Sequence, residues 1–118
     1  NQSIQDLDQD IHFDRKALML KIQDNHDILI ELLTSVKEQF PIYMGEIKSS
    51  LEILDYENIR KTAHSIKGAS LNLNLNLLGE ISKQIEFAAA EKSSKLPTLC
   101  SQLADEWQII LHIIDKNI

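Results

Sequence analysis

The sequence predicts an all-α domain, an up-down four-helix bundle with an additional short N-terminal helix capping one end. Three observations carry this. Four long stretches place apolar residues three and four apart and are joined by short polar connections, which favours antiparallel neighbours. Only three glycines and two prolines occur in 118 residues, too few for a β-sandwich or barrel, which needs turn residues roughly every 8–12 positions. The one alternating stretch, Ser70 to Leu78, has no second strand to pair with. A chain of this length allows one domain.

Residues 1–13 read as a polar leader or linker with sparse Ile4, Leu7 and Ile11, and residues 14–118 as the bundle. Asp14 is a cap, Phe13 can staple onto Leu18, and a short helix is expected over 14–23. The cap cluster Asp24-Asn25-His26-Asp27 opens a long helix striped by Leu29, Leu32, Val36, Phe40, Met44, Ile47, Leu51 and Leu54. The stripe stays in phase through Pro41, so one helix, bent there, is expected. Asp55 caps a third helix that runs from Tyr56 to about Leu73, with Ile59, Ala63, Ile66, Ser70 and Leu73 on its inner face. The Leu/Asn alternation reads as a helix end near Asn74 and a new start near Asn76, because asparagine tolerates the left-handed position past a helix and is poor in strands. Leu78, Ile81, Ile85 and Ala88 stripe a fourth helix to about Glu91. Pro97 suits the first turn of a last one, striped by Leu99, Leu103, Trp107, Ile110 and Ile114.

Composition excludes several functions. Three isolated glycines cannot build a Walker A loop or G-x-G-x-x-G, so ATP or NAD binding by the common routes is out. A net charge of −6 with scattered Lys and Arg argues against nucleic acid and anionic membrane. No apolar run approaches the roughly 20 residues of a membrane span. The single cysteine, Cys100, cannot form an internal disulfide and suits a reducing compartment. It sits one residue off the last stripe, as a small, partly buried side chain. The histidines show no H-x-x-x-H or E-x-x-H pairing at ligand spacing, so no metal and no cofactor is expected. His12, His26 and His112 read as surface or cap residues. Asn1 in place of Met and the lack of a signal peptide suggest a cytoplasmic segment of a longer protein.

The third helix breaks the bundle rules. At about 100° per residue, with Ile59 at zero, His64 falls near 140° and Gly68 near 180°, both facing away from the core. Glycine in an exposed helix interior costs about 1 kcal/mol relative to alanine, and close approach by another molecule is a physical reason to accept that. Lys67, three residues past His64, can offer an ammonium to an anion held at the ring. An exposed imidazole, a cleared approach and a cation suit reversible phosphorylation on nitrogen. The plain reading of the same residues is a solvated helix face with an incidental glycine.

Ala63-His64-Ser65-Ile66-Lys67-Gly68-Ala69-Ser70 resembles the signature of histidine-containing phosphotransfer (HPt) domains, the carriers of multistep phosphorelays. Phe40, Asp55-Tyr56 and Ile85-Glu86 also fit the family's pattern, and the resemblance extends from Phe13 to the last helix. It implies a four-helix bundle whose His64 takes a phosphoryl group from a receiver-domain aspartyl phosphate and passes it to another receiver. It further implies that Lys67 and Gly68 are motif neighbours of the acceptor. Glu86 would hold Nδ1 of His64 and leave Nε2 free to attack. The family usually has glycine where this chain has Asn74, and a small residue where it has Leu75. Such a domain is a phosphocarrier without its own ATP site, either alone or within a membrane-bound hybrid sensor kinase. Its partners would be response-regulator receivers.

Around the acceptor, Arg60 reads as a solvated charge or a second cation for the phosphoryl group. Leu71, apolar yet on the His64 face, is a candidate docking residue, and Leu18 or Met19 of the short helix could extend the patch. Ser70 reads as packing. The alternatives to a carrier are an interaction-only bundle that docks receivers without phosphotransfer, and a metal-binding bundle, for which inward His and Glu pairs are missing.

Overall fold

The computed structural model describes residues 11–118 and contains, after a helical turn at Ile11–His12, five helices: α1 (Arg15–Lys21), α2 (His26–Glu52), α3 (Tyr56–Asn72), α4 (Asn76–Ala90) and α5 (Leu96–Asn117). Most of the expected leader lies outside the described residues. No strand occurs among them. Consecutive long helices pack side by side, and α5 closes the ring against α2. The bundle is up-down, so α2 begins, the α3–α4 turn lies and α5 finishes at one end. α1 sits at that end: Asp14 N–H donates to the Asn74 carbonyl (2.9 Å) and Arg15 Nε to Asn117 Oδ1 (2.9 Å).

Side-chain caps start the first three helices as expected. Asp14 accepts from Ala17 N–H, Asn25 from Ile28 N–H and Asp55 from Asn58 N–H. α2 runs through the exposed Pro41 as a single helix. The helix ends are less ordinary. Gln23, Leu54, Asn74 and Lys92 all have φ between 53° and 59°. Each lies one residue past the cap of its helix, and the next N–H bonds back five residues at 2.8 Å: Asp24 to Met19, Asp55 to Ser50, Leu75 to Ser70 and Ser93 to Ala88. These are Schellman ends built without glycine. The left-handed conformation costs a non-glycine residue roughly 1 kcal/mol or more. The two bonds that each end recovers, and the burial of Leu75 (0% exposed), offset it.

The core is continuous, with Phe40 of α2 against Trp107 of α5 (ring centroids 5.3 Å apart) and Tyr43 edge-on to Phe40 at 5.7 Å. Several stripe positions differ from expectation. Leu33 is fully buried and Leu32 only partly, Met44, Leu51, Leu73 and Leu99 are also only partly buried, and Leu54 points into solvent from its left-handed turn position. Cys100 is buried more completely than its off-stripe position suggests, and burial pushes its thiol up to about 11.

Leu18 and Met19 also depart from expectation. They are 2% and 5% exposed and belong to the core, so they offer no docking surface. A helix of seven residues has few apolar side chains with which to cover the bundle's end, and these two do so together with Phe13. Leu20, the next residue, faces outward.

His12 is the second correction. It is not a surface or cap residue: its Nδ1 lies 2.6 Å from Oε2 of Glu106, which is buried in α5. The pair ties the segment before α1 to the middle of the last helix. Burial pushes the Glu106 carboxyl above its ordinary 4.5, and His12 opposes that shift. A carboxyl whose native pKa is raised binds its proton more tightly when folded. Its contribution to stability is therefore complete below 4.5 and declines as pH rises through the native value. Glu106→Gln keeps a hydrogen-bonding partner for His12 and removes the ionisation. The variant should gain stability relative to the parent as pH rises from about 4.5 toward 7, read by denaturant unfolding at a series of pH values. An identical pH profile for both proteins would contradict this account of the pair.

Candidate functional site

The site lies on the seam between α3 and α4, and the core face of each helix positions it. Ile59, Ala63, Ile66 and Ser70 are buried, which turns His64 and Gly68 outward. On α4, the buried Ile85 sets Glu86 at the edge of its stripe, aimed across the seam. His64 is 64% exposed while Glu86 is 18% exposed. His64 Nδ1 lies 2.8 Å from Glu86 Oε2, and Lys67 Nζ donates to Glu86 Oε1 at 2.7 Å.

One carboxylate thus holds both the imidazole and the ammonium. The Lys67 bond, aided by the His64 bond and both charges, keeps the Glu86 carboxyl below its ordinary range against the opposing effect of burial. An ionised carboxylate only accepts hydrogen bonds, so Nδ1 carries the proton in this pair. In the neutral ring Nε2 then has the free lone pair. Among the described residues Nε2 has no hydrogen-bond partner.

Gly68 is exposed, and a Cβ placed on it would meet nothing within 4 Å. The glycine answers no crowding among the described residues. Lys67 stands differently from the sequence reading. It is not free over the ring but rests on Glu86, a pairing across helices that spacing along α3 does not reveal.

Arg60 is engaged in a two-pronged pair with Glu57, Nη2 to Oε1 at 2.6 Å and Nε to Oε2 at 3.1 Å, which matches the solvated-charge reading. Leu71 is 48% exposed and lies over Gly79 of α4. Ser70 is buried as packing. Sequence reasoning passed over Phe87, an exposed aromatic directly after Glu86. Its position off the α4 stripe was the available signal. No group of acidic, histidine and cysteine residues among the described ones is arranged to hold a metal ion. No described helix is long and apolar enough to cross a membrane.

The family model of the Hpt domain matches residues 31–115, which span most of α2 through nearly all of α5. Among solved structures, the chain is similar to histidine-containing phosphotransfer protein B from Pseudomonas aeruginosa PAO1. The likeness has a TM-score of 0.83 and 25% identity, and covers 89% of this chain and 92% of that one. No curated protein sequence matches the chain. Both matches agree with an all-α helical bundle, and the chain belongs to the Hpt domain family, with histidine phosphotransfer in a phosphorelay as its role.

Proposed function

We propose that His64 is the phosphoacceptor, taking its phosphoryl group from a receiver-domain aspartyl phosphate and handing it to another receiver in the cytoplasm. The observation that carries this reading is the 2.8 Å contact of Nδ1 with Glu86, which leaves the exposed Nε2 as the reactive nitrogen. In the forward step the Nε2 lone pair attacks phosphorus. The P–O bond to the aspartyl carboxylate breaks, and its electron pair leaves with the carboxylate. Nδ1 keeps its proton, so the ring becomes cationic beside Glu86, which stabilises the charge as it develops. Onward transfer reverses the sequence: the N–P pair returns to Nε2 and neutral imidazole departs.

Lys67 has two anions within its compass. It pairs with Glu86 in the resting protein, and the incoming phosphoryl oxygens compete for it. Gly68 leaves the receiver room. Labelled phosphate should pass from a phosphorylated receiver to the protein in a bond that is acid-labile and base-stable, as a phosphoramidate is. The protein given ATP and Mg²⁺ alone should remain unlabelled, since the chain works as a carrier and not as a kinase. An acid-stable label would sink the proposal.

The glycine supplies a paired test. Gly68→Ala should raise the unfolding free energy by up to about 1 kcal/mol, because the added methyl enters open space. Gly68→Gln should stay folded with its side chain in water. Both should accept phosphate from a receiver more slowly, glutamine more than alanine. Full transfer activity in Gly68→Gln would show that nothing approaches this face closely.

A further inference from the structure

Two contacts fix how α3 and α4 lie against each other. His64 meets Glu86 at 2.8 Å, and a Cβ at Gly79 would fall 2.7 Å from Leu71 Cδ2. In this antiparallel register Phe87 lies at the level of His64, one residue past the carboxylate that holds the ring. Leu71 lies seven residues from His64, about 10 Å along α3. The exposed, uncrowded Gly68 lies between them. Two large apolar side chains thus bracket a bare floor, Phe87 62% exposed and Leu71 48%. Single exposed apolar residues are common on protein surfaces, so exposure alone decides nothing here. Position does.

A partner that brings an aspartyl phosphate within bonding distance of Nε2 must cover the surface around it. Even a small transient interface buries about 500 Å² on each side, a disc roughly 13 Å in radius. Phe87 falls within that disc, because its Cα is about 3.8 Å from that of Glu86, whose carboxylate lies 2.8 Å from the ring. Lys61, about one turn before His64, and Lys83, about one turn before Phe87, are exposed on either side of the His64 level, because the two helices run antiparallel. In a chain of net charge −6 they set a local positive rim, complementary to the anionic aspartyl phosphate.

We propose that Phe87 is a docking anchor for the receiver domain, contributed by α4, and that it helps select which receiver is served. The proposal rests on the phosphotransfer reading of His64. Phe87 touches neither reacting atom, and its effect is on the encounter. An aromatic anchor buried at a partner surface is the kind of residue whose truncation weakens binding most.

The test compares Phe87→Ser, Phe87→Leu and Ile53→Ala, an exposed apolar residue in the α2–α3 turn. Two phosphoryl donors are used, the phosphorylated receiver that transfers fastest to the parent protein, and phosphoramidate, a small donor that needs no docking. With the receiver, Phe87→Ser should raise KM about tenfold or more, Phe87→Leu should recover most of the loss, and Ile53→Ala should match the parent. With phosphoramidate all three should label at the parental rate. Parental receiver kinetics in Phe87→Ser would overturn the proposal. A loss with both donors would also overturn it, since Phe87 would then act on the His64 ring. A parent protein that neither donor labels would instead refute the phosphotransfer reading, a different result.

Discussion

A His64→Gln variant should fold as the parent does and should take no phosphate from any receiver. The side chain is 64% exposed, so its replacement removes little packing. Glutamine can still donate a hydrogen bond to Glu86, which leaves the α3–α4 seam paired. What it lacks is a nitrogen lone pair able to attack phosphorus, because the amide nitrogen is conjugated to its carbonyl. His12, His26 and His112 do not replace His64. His12 is bound to the buried Glu106, and neither His26 nor His112 makes a hydrogen bond to a described carboxylate. The loss should exceed about a thousandfold, the range seen when a catalytic nucleophile is removed from a site whose binding surface remains. It is measured as labelled phosphate retained after transfer, beside circular dichroism of the same sample. Residual labelling in folded His64→Gln would place the acceptor elsewhere.

Trp107→Ala should have the largest effect on stability. Trp107 is 4% exposed and packs on Phe40 at the seam between the first and last long helices. That seam joins helices far apart in the chain, so short loops give it no help. Truncating a buried tryptophan costs about 3–5 kcal/mol, against a total stability of about 5–15 kcal/mol for a domain. The midpoint of thermal unfolding should fall by roughly 10–20 °C. Circular dichroism reads it, since Trp107 is the only tryptophan and its fluorescence goes with it. The phosphoryl transfer rate per folded molecule should be preserved. A change under about 1 kcal/mol would mean that this seam does not hold the bundle.

Much of the architecture was legible because helices announce themselves by period and cap. Asp14, Asn25 and Asp55 each bond the N–H three residues on, and the buried residues of α4 include the whole expected stripe. The Leu/Asn run was legible as a turn only by overruling its period of two, and Asn74 takes φ 59° there. The left-handed conformation of Leu54 and Lys92 was not legible, although the polar run from Lys92 to Lys95 marks a loop. The usual sign is glycine, and hydrogen bonding and packing impose the conformation on side chains that do not favour it. Leu18 and Met19 were misplaced because seven residues are too few for a stripe to show which face is inner. At the site, the outward placing of His64 and Gly68 was legible from the period of one helix, whereas Glu86 was reached only through the family resemblance. What joins residues of different helices was less legible. The Lys67–Glu86 bond and the His12–Glu106 pair depend on register and burial across the bundle, which no local spacing encodes.

Phosphorylating ¹⁵N-histidine-labelled protein from a receiver, then recording long-range ¹H–¹⁵N correlations, identifies which ring nitrogen carries phosphorus. The hydrogen bond from Nδ1 to Glu86 predicts phosphate on Nε2 of His64, with Nδ1 still protonated. Phosphate on Nδ1, or on any other residue, would contradict it.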